Sequence, residues 1–257
     1  MEKMKAIVKE SKESNKFFLT EIPIPKIEDS EILVQVKAIG VGIQDGYFFP
    51  KEMKFPYPIG IEGSGVIKKT GKNNTDFKEG DRIAFVAVSE SKGGSYAEYI
   101  ALGKNSLIVP IPEKMNFLEA AAIPMASNTM IRVLKALELQ SGDTLFIAGA
   151  SGSNGTLTVQ LAKELGCTII TSSSKRNHQY MKALGVTKAV DYHDYDWIQQ
   201  VLEWLPNGVD AAIAIPPGTS ISSMKVLKDD GKIISVSGDS FEAERNVKKS
   251  LSLTQWM

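Results

Sequence analysis

One cysteine, Cys167, and two histidines, His178 and His193, are the only thiol and imidazole side chains in 257 residues. An internal disulfide is excluded, and the usual structural or catalytic zinc sites, which draw on several such ligands, lack their donors. A Mg or Ca site built from carboxylates has no motif here. Charge of one sign is missing as well: 30 Lys and Arg balance 30 Asp and Glu. No global electrostatic footprint for nucleic acid or an anionic membrane follows from such a balance. No uninterrupted apolar run approaches the ~18–20 residues of a membrane span, and "MEKMKAIVKESKES" carries charges where a secretory signal needs an apolar stretch. The expectation is a soluble cytoplasmic protein with neither nucleic-acid nor membrane partners.

What the chain does have is apolar content, 43% of its residues, enough for a packed core and incompatible with global disorder. Its length accommodates two domains, and the halves read differently. Up to about Pro112 the apolar segments are short and divided by turn signals: "MKAIVK", "FFLTEI", "EILVQVKAIGV", "GSGVIKK", "DRIAFVAV", "SYAEYIAL" and "SLIVPIP". Alternation such as Val34, Val36 and Ala38 against Gln35, Lys37 and Ile39 predicts a mostly antiparallel β domain over 1–112. From Asn116 the period changes. Asn116 and Glu119 have the spacing of a helix cap, and Pro124 breaks or restarts the helix before "SNTMIRVLKALEL". Strand and helix patterns then alternate, which predicts a doubly wound parallel α/β sheet over 113–257.

The strongest motif is "TLFIAGASGSNGTLTVQLAKELG", from Thr144 to Gly166. An apolar strand runs into Gly149, Gly152 and Gly155, and a helix follows with Leu157, Leu161 and Leu165 at four-residue spacing. Glycines permit a tight turn and close backbone approach, and a helix N-terminus presents unpaired N–H groups and positive dipole to a pyrophosphate. In a βαβ setting the pattern points to a dinucleotide held by Gly149, Ser151, Gly152, Ser153, Asn154 and Gly155; the alternative is a tight strand-to-helix turn and nothing more.

An acid about 20 residues past such a loop would bind the ribose of NAD. The stretch there, "TSSSKRN" from Thr171 to Asn177, contains no carboxylate. Ser173 and Ser174 offer hydroxyls, Lys175 and Arg176 offer cations for a 2′-phosphate, and the reading is NADPH rather than NADH. The plainer account makes Ser174 an N-cap and the cations solvated, although cations in a first helical turn oppose the macrodipole. Tyr192, closing the third strand, either flanks the same phosphate or only ends the strand.

These passages, together with "GIEGSGV" (Gly60 to Val66), "FKEGDRIAF" (Phe77 to Phe85), "GGSYAEYIAL" (Gly93 to Leu102), "VPIPEKMNFLEAAAIPMASNTM" (Val109 to Met130) and "KALGVTKAVDY" (Lys182 to Tyr192), resemble the medium-chain dehydrogenase/reductase family, zinc-free quinone oxidoreductase type. The resemblance implies a GroES-like N-terminal domain, a Rossmann domain and an NADPH cofactor that passes hydride to a quinone or α,β-unsaturated carbonyl compound. Zinc-dependent relatives carry Cys and His in the first domain; here "GVGIQDGYF" (Gly40 to Phe48) and Gly60-Ile61-Glu62 have neither. By the same resemblance Asp45 and Tyr47 line the substrate pocket, Thr129 meets the nicotinamide, and two copies form a homodimer through a sheet edge. Tyr47 is the candidate proton donor, unless it only packs with Phe48 and Phe49. Glu62 is read as the structural partner of a cation.

A dinucleotide fold in the order 3-2-1-4-5-6 needs six parallel strands. Five are legible, around Leu145, Ile169, Ala189, Ala212 and Ile233, and "SLSLTQWM" at best begins a sixth. The sequence therefore reads as a relative lacking its last strand. Two functions are compatible with that: a metal-free NADPH-dependent reductase, or a non-catalytic NADPH-binding protein or inactive fragment.

Overall fold

The computed structural model describes residues 2–88 and 90–249. Two compact units part between Met125 and Ala126.

The first unit is built on two antiparallel sheets. Strand β1 (Lys3–Lys9) alternates, burying Met4, Ala6 and Val8 between exposed Lys3 and Lys5, and pairs with β2 (Phe17–Pro23) and β4 (Tyr57–Pro58). The second sheet takes β3 (Ile32–Ile39), β5 (Glu62–Thr70), β6 (Arg82–Val86), β7 (Tyr99–Leu102) and β8 (Leu107–Pro110) in the order β7-β3-β5-β6-β8. Its inward positions supply the core: Ile32, Val34, Ile67, Ile83, Phe85, Ile100 and Leu102. Helix α1 (Phe117–Ala121) opens as its sequence predicts. The Asn116 side chain accepts from the Glu119 amide at 2.9 Å, and Glu119 accepts from the Asn116 amide at 3.0 Å. Pro124 is the first residue of α2 (Pro124–Leu137), a position where its missing N–H costs nothing.

The second unit is a parallel sheet of β9 (Thr144–Ala148), β10 (Thr168–Ser172), β11 (Lys188–Val190), β12 (Val209–Ala214), β13 (Leu227–Ser235) and β14 (Lys248–Lys249), ordered β11-β10-β9-β12-β13-β14. Helices α3 (Ser153–Glu164), α4 (His178–Leu184), α5 (Trp197–Trp204) and α6 (Ser220–Lys225) connect the first five strands. After Thr144, strand β9 is apolar because both its faces are covered: Leu145 and Ile147 join one cluster, Phe146 and Ala148 the other. Phe146 also stacks on Trp197, centroids 5.5 Å apart.

One expectation needs correction here. The sheet does not stop at five strands: Lys248 and Lys249 pair with Lys232 and Ile233 in the sixth position. Two lysines carry no apolar pattern, so periodicity could not find them. The segment "SLSLTQWM", where a sixth strand was expected to begin, lies outside the described residues. Among the described residues no helix is long and apolar enough to cross a membrane.

Candidate functional site

The glycine loop leaves β9 with Gly149 at φ 74°, a left-handed conformation that favours glycine. The Gly149 and Ala150 amides both donate to the Ser172 carbonyl, at 3.2 and 3.3 Å, and so fasten the loop to the end of β10. A methyl group on Gly155 would lie 2.4 Å from the Ala150 Cα, so α3 can approach the loop only with glycine there. Gly152 is different. A Cβ there would meet only the Gly149 carbonyl oxygen, at 3.6 Å, so the protein's own packing leaves that side of the residue open.

Gly152 is also the cap of α3, and with no side chain it satisfies none of the helix's first amides. Thr156 donates the first helical bond, to the Gly152 carbonyl at 2.9 Å, which leaves the amides of Ser153, Asn154 and Gly155 ahead of the bonded ladder. No acidic residue stands in that turn. Donors unfilled among the described residues, an open glycine and the positive end of a 12-residue helix are the donor set a pyrophosphate requires.

Beside the loop, β10 runs into a 3-10 turn, Lys175–Asn177, that exposes Lys175 and Arg176. Ser174 does not cap it; its hydroxyl instead shares a 3.2 Å hydrogen bond with that of Tyr192. Tyr192 is half exposed and tilts over the His193 ring, centroids 4.1 Å apart. Ser173 requires a correction: it is 1% exposed and its hydroxyl is enclosed with no hydrogen-bond partner among the described residues, so it presents nothing to a ligand in this arrangement. Its carbonyl is bonded to His178 Nε2 at 3.0 Å, which gives that histidine a structural partner at the start of α4.

Two residues escaped the sequence reading. Asn177 donates from Nδ2 to the Ser151 hydroxyl at 3.0 Å, joining the cationic turn to the glycine loop. Asp191, at the end of β11, accepts from the Lys175 amide at 3.0 Å on Oδ2, and from the His193 amide and ring Nδ1 on Oδ1. A carboxylate was sought only after β10, and this one stands after β11. The His193 amide is the main cause holding the Asp191 carboxyl down at about 2, with the His193 ring and the Lys175 amide adding to it and partial burial opposing. The sign follows: the brace is intact above the ordinary carboxylate range and is lost as pH falls through about 2. Amide signals of Lys175 and His193 should therefore move together in an acid titration of the native protein, and Asp191→Asn should abolish that step.

In the first unit Asp45 was expected at the pocket wall. It is buried, at 4% exposure, and its carboxylate is occupied by three donors: the Gly42 amide at 2.8 Å, the Ile61 amide at 3.1 Å and the Tyr96 hydroxyl at 3.0 Å. The group therefore fixes the 3-10 turn Ile43–Gly46 against Ile61 rather than facing a substrate. Burial, then the Asp45 charge, raises the Tyr96 phenol well above its ordinary value and keeps it protonated as the donor. Tyr47 ends that turn with its side chain 65% exposed. Glu62 receives the Met125 amide at 2.9 Å, a cap at the start of α2. Burial, and secondarily the neighbouring Asp45, push the Glu62 carboxyl upward against that hydrogen bond. Thr129 is half-buried on α2, next to fully buried Met130. Among the described residues no group of three or more His, Cys, Asp or Glu is gathered as metal ligands.

Comparison with known proteins agrees with this architecture. Residues 28–113 match the alcohol dehydrogenase GroES-like domain, and residues 155–255 match the family described as zinc-binding dehydrogenase. The structure of the quinone oxidoreductase from Coxiella burnetii superposes with a TM-score of 0.81 at 32% identity, covering 91% of this chain and 76% of that one. Human quinone oxidoreductase is 29% identical over 84% of this chain and 66% of its own length. The chloroplastic NADPH-dependent alkenal/one oxidoreductase of Arabidopsis thaliana is also 29% identical, over 84% of this chain and 58% of its own. The chain thus spans about two thirds or less of these two relatives. With the paired antiparallel sheets, the 3-2-1-4-5-6 parallel sheet and the glycine-capped α3, these matches make the chain a quinone-oxidoreductase-like member of the medium-chain dehydrogenase/reductase family.

Proposed function

We propose that the protein is an NADPH-dependent reductase of quinones or α,β-unsaturated carbonyl compounds that works without a metal. The observation that carries the proposal is the pairing of two anion sites in the second unit: the unfilled amides of Ser153, Asn154 and Gly155, and the exposed cations Lys175 and Arg176 on the turn tied to the same loop. The first fits a pyrophosphate and the second a 2′-phosphate. NADPH, when bound, supplies the hydride.

The remaining work falls to the chain. Residues of the glycine loop and the cationic turn would hold the donor in one orientation, which converts an encounter into a positioned reaction. Hydride addition to a quinone or enone leaves negative charge on the carbonyl oxygen, and a hydrogen-bond donor is needed there. Tyr47 is the proposed donor, carried on a turn that Asp45 holds in place, and Thr129 is the proposed contact to the nicotinamide. The names of the human, bacterial and plant relatives support the substrate class.

The test is NADPH oxidation against a panel of small quinones and enones, alongside cofactor affinity. Turnover on either class supports the reading, and no binding at millimolar NADPH overturns it. Binding without turnover on the panel points instead to an NADPH-binding protein without this activity. The charge assignment has its own test. Lys175→Glu with Arg176→Glu should weaken NADPH about ten- to a hundredfold, the scale of one or two charge-assisted hydrogen bonds, and leave NADH nearly unchanged. Equal losses for the two cofactors would remove the 2′-phosphate assignment.

A further inference from the structure

We infer that Asn177 is a positioning residue that sets the cofactor preference, by holding the cationic turn at a fixed distance from the glycine loop. The inference rests on the NADPH reading above and deepens it.

NADPH carries its pyrophosphate and 2′-phosphate on one ribose, so their separation varies little. A protein that reads both must present two donor sets at a matching separation, and each freedom left to either set is lost on binding. The loop side is rigid: two amides grip the Ser172 carbonyl, and Gly155 is packed on Ala150. The other set sits on long, exposed side chains carried by a short turn, so the placement of that turn governs how much freedom they lose.

That turn is braced from two directions. On the β11 side, Asp191 takes the Lys175 amide and Tyr192 meets the Ser174 hydroxyl. On the loop side, the half-buried Asn177 side chain reaches the Ser151 hydroxyl at 3.0 Å. Ser151 immediately precedes Gly152, the cap of α3, so this bond ties the cationic turn to the residue next to the pyrophosphate donors. Because the Asn177 amide donates, the Ser151 oxygen is its acceptor and the serine's own proton is left for another partner. The two braces make the turn a preset spacer. Asn177 itself carries no charge and acts only through the placement of Lys175 and Arg176.

The experiment measures binding of 2′,5′-ADP and of 5′-AMP, which share the adenosine 5′-phosphate and differ in the 2′-phosphate. In wild-type protein 2′,5′-ADP should bind more tightly. Asn177→Ala should weaken 2′,5′-ADP about tenfold, the net scale of one hydrogen bond, and change 5′-AMP by less than about twofold. Ser151→Ala removes the same bond from its other end and should shift the ratio of the two affinities by the same factor, even where it weakens both ligands. The double variant should shift that ratio no further than either single one. An unchanged ratio in Asn177→Ala, or ratio shifts that multiply in the double variant, would overturn the inference while leaving the NADPH reading standing. If Asn177→Ala fails to fold, the ratio in Ser151→Ala decides. Wild-type protein that binds the two ligands equally would remove the NADPH reading itself, a separate outcome.

Discussion

Asp45→Ala should destabilise the first unit by about 3–5 kcal/mol, enough to lower its thermal midpoint by roughly 10 °C. The magnitude comes from what the substitution leaves behind. Three donors converge on the carboxylate: the Gly42 and Ile61 amides and the Tyr96 hydroxyl, at 2.8, 3.1 and 3.0 Å. The residue is 4% exposed, so water is not at hand to replace it. Each donor stranded in that position costs about 1–3 kcal/mol, and the three share one acceptor, so their costs are not simply summed. Tyr96→Phe removes one donor and leaves the carboxylate two, so its cost should be near 1 kcal/mol, the net worth of about one hydrogen bond. Combined with Asp45→Ala it should add little. Denaturant unfolding of the three variants checks the series. A loss below about 1 kcal/mol for Asp45→Ala would mean that the turn Ile43–Gly46 is held by something other than its carboxylate.

That outcome bears on how far a sequence can be read. The glycine loop and the parallel sheet were legible because their signals are local: an apolar strand, three glycines and a helix within 23 residues. The Asn116 and Glu119 cap was legible for the same reason, since both bonds close within three residues. Asp45 could be located but not understood, because its partners Ile61 and Tyr96 lie 16 and 51 residues away. Asp191 and Asn177 were missed for a related reason. Each reaches the turn or the loop only because parallel strands end side by side, which no spacing along the chain encodes. Ser173 looked like its neighbours in a run of three serines, yet its amide continues the β10–β11 pairing to the Val190 carbonyl and buries the side chain. Strand β14 escaped because two lysines form it, and what places them is the edge of β13 rather than any apolar pattern.

Gly155 and Gly152 should separate fold from function, although they stand three residues apart in one motif. Alanine normally stabilises a helix interior over glycine by about 1 kcal/mol. At Gly155 that gain is overrun: the new methyl would sit 2.4 Å from both the Cα and the carbonyl oxygen of Ala150 and 2.5 Å from its carbonyl carbon. These are backbone atoms, fixed by the Ala150 amide's bond to Ser172, and they cannot rotate aside. Either α3 or the loop must move, so Gly155→Ala should cost about 3 kcal/mol and lose cofactor binding as a consequence. Gly152→Ala meets no such obstacle. Its φ of −80° suits any residue, and the nearest atom to the methyl is 3.6 Å away. Stability should change by less than about 1 kcal/mol, the scale of an exchange between weak caps. Binding should not survive so well, because the methyl occupies the open side of the loop, next to amides whose donors are unfilled. A loss of at least about tenfold in NADPH affinity with the melting temperature nearly unchanged is the expected result. If Gly152→Ala binds NADPH as the wild type does, the open side of that glycine is not where the cofactor lies. If Gly155→Ala is as stable as the wild type, the close approach of α3 to Ala150 does not hold the loop in shape.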